Sequence, residues 1–471
     1  MKRIYMILMC LLCLAPLVGM LAAKTEVTTE KRTLASFPSL TTEAGKLNTA
    51  FFDDFDAYFN DHFAFRNLLV SANAVVMSRL FKTSSNDKVL VGKNGWLYYT
   101  ATLDDYTGSN PLSERALFCI ANNLALLQRY VEAQGSTFLF TVAPNKNTLY
   151  GDRMPYYYKT TGPVTRNLDR LIPYLEQCGV HYAELRDLFS DPAHPLYYAR
   201  DSHWNNQGAL LAFCRLCEAL NQPHDTYEQA KTKQDPAYIG DLEQMLFPLW
   251  GRGEWSESYD PSFHFTYGPR FQSVEDAVIE SSAEQKDGAL LMYRDSFGNA
   301  LIPFFADNFR SGYYVKTQPY NTALHLQSRK PDVVIAEKVE RNLADYLKTP
   351  PVIPAPEVEI GRVRPLQSAS TLTAAAVEAN AGCFALQGTL DSALEIPADS
   401  KVYVTLSDGN RTITAEAFGW MTESEAPAYI AYFDRSAFPA AAYEATLILS
   451  GEENLELKKA TVEIPAADVL A

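Results

Sequence analysis

Ala289-Leu290-Leu291-Met292-Tyr293 runs directly into Arg294-Asp295-Ser296-Phe297-Gly298-Asn299. The first five residues are apolar and short, as in a strand buried on both faces. A helical pattern follows from about 296 to 305. This puts a serine on the turn between a strand and a helix, where its hydroxyl stands clear and nearby backbone N–H groups can meet a developing oxyanion. Asp-Ser is also an ordinary helix-capping pair. Ser296 therefore gains meaning only from what surrounds it.

Working outward, the same alternation recurs. A β-rich apolar run at 137–142 ends at Pro144. Helical periodicity covers 164–177, a strand pattern 180–185, and a helix 206–220. Beyond Ser296, a strand at 333–336 leads into helix up to Tyr346. Strands alternating with helices predict an α/β domain whose mostly parallel sheet is covered on both faces. In such sheets the functional residues gather past the carboxyl ends of the strands. Upstream, Val89 to Tyr99 reads as a hairpin turning at Lys93-Asn94-Gly95, and 113–134 as a helix capped by Ser113.

Two further stretches carry chemistry. In Asp201-Ser202-His203-Trp204, Asp201 and His203 are two residues apart, which places them on one side of an extended chain. An aspartate can hold a histidine in one tautomer and stabilise its charged form. The other stretch is Ala143-Pro144-Asn145-Lys146, just after a strand. Taken singly these are a loop and a turn. Placed after strands of one sheet, they join Ser296 to supply a nucleophile, a base and an orienting acid for acyl transfer.

These residues resemble the DHHW proteins and the AlgX/AlgJ-like alginate O-acetyltransferases, which have an SGNH-hydrolase-like fold. Asp61-His62-Phe63-Ala64-Phe65-Arg66 is similar to the family's D-H-F-x-x-R. Gly92-Lys93-Asn94-Gly95-Trp96-Leu97-Tyr98 is similar to G-x-x-G-W-L-[FY]. Ala143-Pro144-Asn145-Lys146 with Tyr150 resembles A-P-x-K and its following tyrosine. Asp201-Ser202-His203-Trp204 resembles D-[TH]-H-W, Asp295-Ser296-Phe297 resembles G-D-S-F, and Glu340-Arg341 a late E-R. The ordered series spans about 45 to 345. It departs at Arg294, where glycine is usual, and at Ser202, where histidine or threonine is. Arg294 there would narrow the pocket or bind an anion.

The resemblance implies a circularly permuted SGNH-hydrolase-like three-layer sandwich. It also implies Ser296 as nucleophile, His203 as base and Asp201 as its orienter. Asn145, Lys146, Arg294 and Tyr150 are the candidates for oxyanion or substrate binding. The implied activity is O-acetyl transfer to a polysaccharide, with a glycan acceptor and a membrane-bound O-acyltransferase as acetyl donor, and no cofactor or metal. Two alternatives stand beside it: an acetyl-esterase using the same triad, and a non-catalytic polysaccharide-binding surface protein.

The flanks set the context. Met1-Lys2-Arg3 precedes an apolar run from Ile4 to Ala23, the pattern of a secretory signal or a membrane anchor. Leu21-Ala22-Ala23 is a poor cleavage site, so both outcomes stay open, and either puts the working part outside the cytoplasm, in the periplasm or at the cell surface. Residues 24–85 read as a linker and N-terminal helices, 86–348 as the catalytic domain. The Pro-rich stretch from Thr349 to Pro356 reads as a semi-rigid linker. Residues 357–471 then read as a small C-terminal β-sandwich, with Tyr403, Trp420, Tyr429 and Tyr432 as core or sugar-stacking aromatics. The net charge of −15 argues against a nucleic-acid partner. Cys214 and Cys217 have metal-site spacing, but their apolar helical setting favours core cysteines.

Overall fold

A computed structural model describes the chain except residues 1, 23–33, 43–44, 159, 161, 192, 228–230, 260–262, 378–381, 410, 422–426, 439–440 and 465–471. Residues 24–33, the start of the expected 24–85 linker and N-terminal helices, and Ala23 at the candidate cleavage site lie outside the described residues. The N-terminal apolar run forms the helix Lys2–Ala22. Among the described residues, no helix is long and apolar enough to cross a membrane.

A seven-stranded sheet organises the main domain. Its order is Tyr182–Ala183, Thr137–Ala143, Val333–Val339, Ala289–Tyr293, Ser311–Val315, Val278–Ser282, Thr266–Tyr267. The first five strands are parallel, and the last two are added at one edge through antiparallel pairings. Ala289–Tyr293 lies where expected. Its residues alternate between two cores: Leu290 and Met292 join one, Leu291 and Tyr293 the other. That two-sided burial is why the strand is apolar at every position.

Glu114–Ala133 covers one face, with the Ser113 side chain accepting from the N–H of Ala116 as a cap. Asn206–Ala219 packs on the other face and buries Cys217 in its core. The Val89–Val91/Leu97–Tyr99 hairpin turns through Asn94 and Gly95, both at positive φ, which Asn and Gly tolerate best. Val180–Leu185 yields only the two-residue strand Tyr182–Ala183. The helix expected from Ser296 begins as a 3₁₀ turn, Phe297–Ala300, before Ile302–Asn308.

The C-terminal region is two antiparallel-rich sheets of five and four strands enclosing their own core. Tyr429 and Tyr432 are buried in this region's packing, so they are not stacking platforms for sugar. The proline-rich connection, expected as a semi-rigid linker, is packed into the fold: Val352 and Ile353 are fully buried, and the N–H of Val352 donates to the Tyr320 carbonyl at 2.8 Å. The two regions share a core, in which Leu117, Ile120 and Leu124 of Glu114–Ala133 meet Cys383, Phe418 and Tyr432. Asn123 clasps Gly419 in both directions, through Oδ1 at 2.9 Å and Nδ2 at 2.8 Å.

Candidate active site

Ser296, His203 and Asp201 form one hydrogen-bonded chain. Ser296 Oγ lies 2.8 Å from His203 Nε2, and His203 Nδ1 lies 2.7 Å from Asp201 Oδ1. Their routes into place differ. Ser296 follows the strand Ala289–Tyr293, as its sequence suggests. Its turn is braced by Asp295, whose carboxylate accepts from the N–H groups of Phe297 at 2.9 Å and Val339 at 2.8 Å. Glu337, buried in the next strand, accepts from the Asp295 N–H at 2.9 Å. Burial, and then the charge of Asp295, push the Glu337 carboxyl well up.

Asp201 and His203 do not follow a strand of the sheet. They lie in a loop closed by the Tyr197–Trp204 bridge, ahead of Asn206–Ala219. Nor is the chain extended there, since the His203 N–H donates back to Asp201 Oδ1 at 2.9 Å. Side chains hold this loop instead of a ladder. Glu254 accepts from the N–H groups of Ala199 and Arg200, both at 2.8 Å. Trp204 Nε1 donates to the Phe297 carbonyl at 3.2 Å, tying the histidine loop to the serine turn.

Asp201 Oδ2 also accepts, from the Tyr238 hydroxyl at 2.8 Å and the Asp241 N–H at 2.9 Å. Burial pushes its carboxyl up. The hydrogen bond and charge of His203, with the N–H donors, outweigh that and hold it well below the usual carboxylate range. Sequence reading missed Tyr238 and Asp241, which sit in a segment without periodicity. Asp241 takes the Ser202 N–H at 2.8 Å and hydroxyl at 2.6 Å. One ligand atom each of Asp201, His203 and Asp241 falls within a 4.8 Å cluster. Each of these side chains is already committed to the hydrogen bonds above, and the Ser202 hydroxyl lies between His203 and Asp241.

The other four candidates go elsewhere. Asn145 is fully buried, and its amide donates to Asp105 Oδ2 at 2.8 Å while its backbone N–H donates to Glu340 at 2.7 Å. It points its donors at carboxylates rather than at the serine. Lys146 Nζ donates to the carbonyls of Leu97, Ala199 and Asp201 at 2.7, 2.8 and 2.9 Å. It pins the backbone of Asp201 from below. Burial brings its pKa down to about 7, against the pull of Asp201. Tyr150 is core, its hydroxyl accepting from the Leu196 N–H at 3.0 Å. Arg294 is buried too, and its guanidinium holds the carbonyls of Val274 and Asp276 at 3.1 and 2.9 Å and the Asn299 side chain. A loop on the neighbouring edge thus takes up the arginine that stands in place of glycine, leaving it no free face for an anion.

Two clefts meet at Ser296 and His203. One, about 790 Å³, is polar and includes Arg66, Lys88, Lys316 and Arg341. The other, about 530 Å³, is walled by aromatic rings. A serine paired with an oriented histidine and open to two clefts is the arrangement of a serine-dependent acyl-transfer site.

Residues 89–291 match the family model described as SGNH hydrolase-like domain, acetyltransferase AlgX. The chain thus carries an SGNH-hydrolase-like domain, followed by a strand-rich C-terminal region. The match includes Asp201 and His203 and stops short of Ser296. A comparison with curated proteins gives no match. Among solved structures the chain is similar to a DHHW family protein from Eubacterium siraeum, at 17% identity and TM-score 0.41, over 55% of this chain and 93% of that one. It is also similar to the O-acetyltransferase domain of Pseudomonas putida AlgJ, at 17% and 0.37, over 54% and 92%. For Pseudomonas aeruginosa AlgX the values are 12% and 0.36, over 80% and 92%.

Proposed function

We propose that this protein is an exported O-acetyltransferase that moves acetyl groups onto hydroxyls of a cell-surface or secreted polysaccharide. The observation that carries the reading is the Ser296–His203–Asp201 chain at 2.8 and 2.7 Å, opening on two clefts. The match of 89–291 to the AlgX domain supports acetyl as the group moved.

In this mechanism His203 Nε2 takes the proton of Ser296 as Oγ attacks the acetyl carbonyl. The donor's C–O bond breaks, and the proton passes to the departing oxygen. The oxyanion that forms needs N–H donors other than that of Phe297, which donates to Asp295 at 2.9 Å. A sugar hydroxyl then gives its proton to His203 and takes the acetyl group, freeing Ser296. Asp201 holds the Nδ1–H and the charge that His203 acquires. The donor is a membrane-bound O-acyltransferase, and the N-terminal Lys2–Ala22 helix directs export.

The test is the non-additivity of the three side chains. Ser296→Ala, His203→Ala and the double variant should lose similar activity on an activated acetyl ester, on the order of a thousandfold or more, since members of one unit fail together. Losses that multiply in the double variant would mean that the two residues act independently.

A further inference from the structure

The aromatic cleft at Ser296 does not end at its ring wall. Tyr259, Phe263, Phe265, Tyr267 and Phe304 form that wall. Consecutive ring centroids lie 4.9 to 5.7 Å apart from Tyr259 through Phe304, Phe263 and Phe265 to Tyr267. Beside the rings the cleft offers the Tyr259 and Tyr267 hydroxyls and the Glu275 carboxylate. Asn206 and Ser256 line this cleft and also a smaller one of about 220 Å³, so the two adjoin. The smaller cleft holds Trp255, which is 68% exposed, and the exposed amides of Gln207 and Gln234. Gln207 lies in the first turn of Asn206–Ala219, just after His203. Trp255 and Gln234 stand on the paired strands Glu254–Ser258 and Lys233–Tyr238. That hairpin also braces the histidine loop, through Glu254 on Ala199 and Arg200 and Ser256 on Tyr198.

Ring faces beside neutral amides and hydroxyls suit a pyranose, whose C–H face stacks on a ring while its hydroxyls exchange hydrogen bonds with the polar groups. No lysine or arginine among the described residues lines either cleft. Glu257 lines the smaller one, and Glu275, paired with Lys316, the larger. A uronate unit there would meet carboxylates and no lining cation. The cations of the polar cleft share it with Asp87, Asp241, Glu275 and Asp295, so no purely positive track leads a polyanion to Ser296. We infer that Trp255, Gln207 and Gln234 form a distal acceptor subsite, and that the glycan strand reaching Ser296 through the aromatic cleft is built of uncharged sugars. This rests on Ser296 handing its acetyl group to a glycan.

Stacking and amide contacts read the pyranose face rather than one linkage, so cellohexaose serves as the uncharged probe and hexagalacturonate as its charged counterpart of equal length. Each is titrated by calorimetry into the full chain carrying Ser296→Ala. Cellohexaose should bind roughly tenfold more tightly than hexagalacturonate. Adding Trp255→Ala should weaken cellohexaose about tenfold, and adding Gln234→Ala about threefold. Both side chains are exposed, so both variants should keep the parent's melting transition. Cellohexaose that does not bind, or that binds equally well without Trp255, would overturn the subsite. Equal or tighter binding of hexagalacturonate would overturn the uncharged strand. Acetylation of Ser296 in the unaltered chain by an activated ester is read separately by mass spectrometry. If it fails while cellohexaose binds, acetyl transfer falls and the glycan subsite stands. If it succeeds while cellohexaose does not bind, the subsite falls alone.

Discussion

Asp241 lies 3.8 Å from His203 Nδ1 by its Oδ2, behind the direct 2.7 Å contact of Asp201, and reaches the ring also through Ser202, whose hydroxyl is 3.2 Å from the same nitrogen. The imidazole thus faces two carboxylates. Ser202 occupies the position where the family pattern has histidine or threonine, and it spends its hydroxyl on Asp241. A nearby carboxylate favours the protonated imidazole. Asp241→Asn keeps one of the two acceptors for Ser202 and removes the charge. We expect kcat to fall roughly threefold to tenfold, with the acid limb of the pH–rate profile moving to lower pH. A fall in kcat with an unmoved profile would mean that Asp241 only supports the loop.

Glu340 predicts a pH effect on stability. Burial, and then the charge of Asp105, raise its pKa from 4.5 to about 7 in the fold. The folded state therefore binds this proton more tightly than the unfolded state does. The resulting stability is fully present below about pH 4.5 and is lost as pH rises through about 7. Glu340→Gln keeps an oxygen for the Asn145 N–H and removes the titration. Denaturant unfolding at pH 5, 6 and 7 should show the wild type losing on the order of 1–3 kcal/mol that the variant keeps. Parallel curves for the two proteins would contradict this.

The shared core bears on truncation. The reading of Thr349 to Pro356 as a semi-rigid linker between separable domains expects a chain ending at Thr349 to fold alone. In the structure that cut would bare Leu117, Ile120 and Leu124 on Glu114–Ala133 and take Glu416 from Asn122 and Gly419 from Asn123. We expect the truncated protein to be aggregation-prone, with a clear loss of Tm. A soluble product with an unchanged melting transition would show the interface to be dispensable.

What was legible in the sequence follows from where the constraints were local. Ala289–Tyr293 announces itself because it is buried on both faces, and Asn94-Gly95 because the turn needs positive φ. Asp201 and His203 were visible as residue types, but their geometry was not. Their loop is held by Lys146, Glu254, Tyr238 and Asp241, contacts up to 55 residues away in sequence that no periodicity encodes. The same reason defeated the roles for Asn145, Arg294 and Tyr150. Each looks like a site residue by position, yet each is drawn inward by a carboxylate or a backbone group that sequence does not place beside it. The short strands 311–315 and 278–282 went unread because glycine, serine and exposed positions dilute their pattern.

The most direct test of the central claim is mass spectrometry of the full chain after brief incubation with an activated acetyl ester. The mechanism predicts one acetyl group on the peptide carrying Ser296, absent from Ser296→Ala and lost when a glycan acceptor is added, with the acetyl group recovered on the glycan. Acetyl groups confined to lysines, or labelling that persists at equal extent in Ser296→Ala, would contradict it.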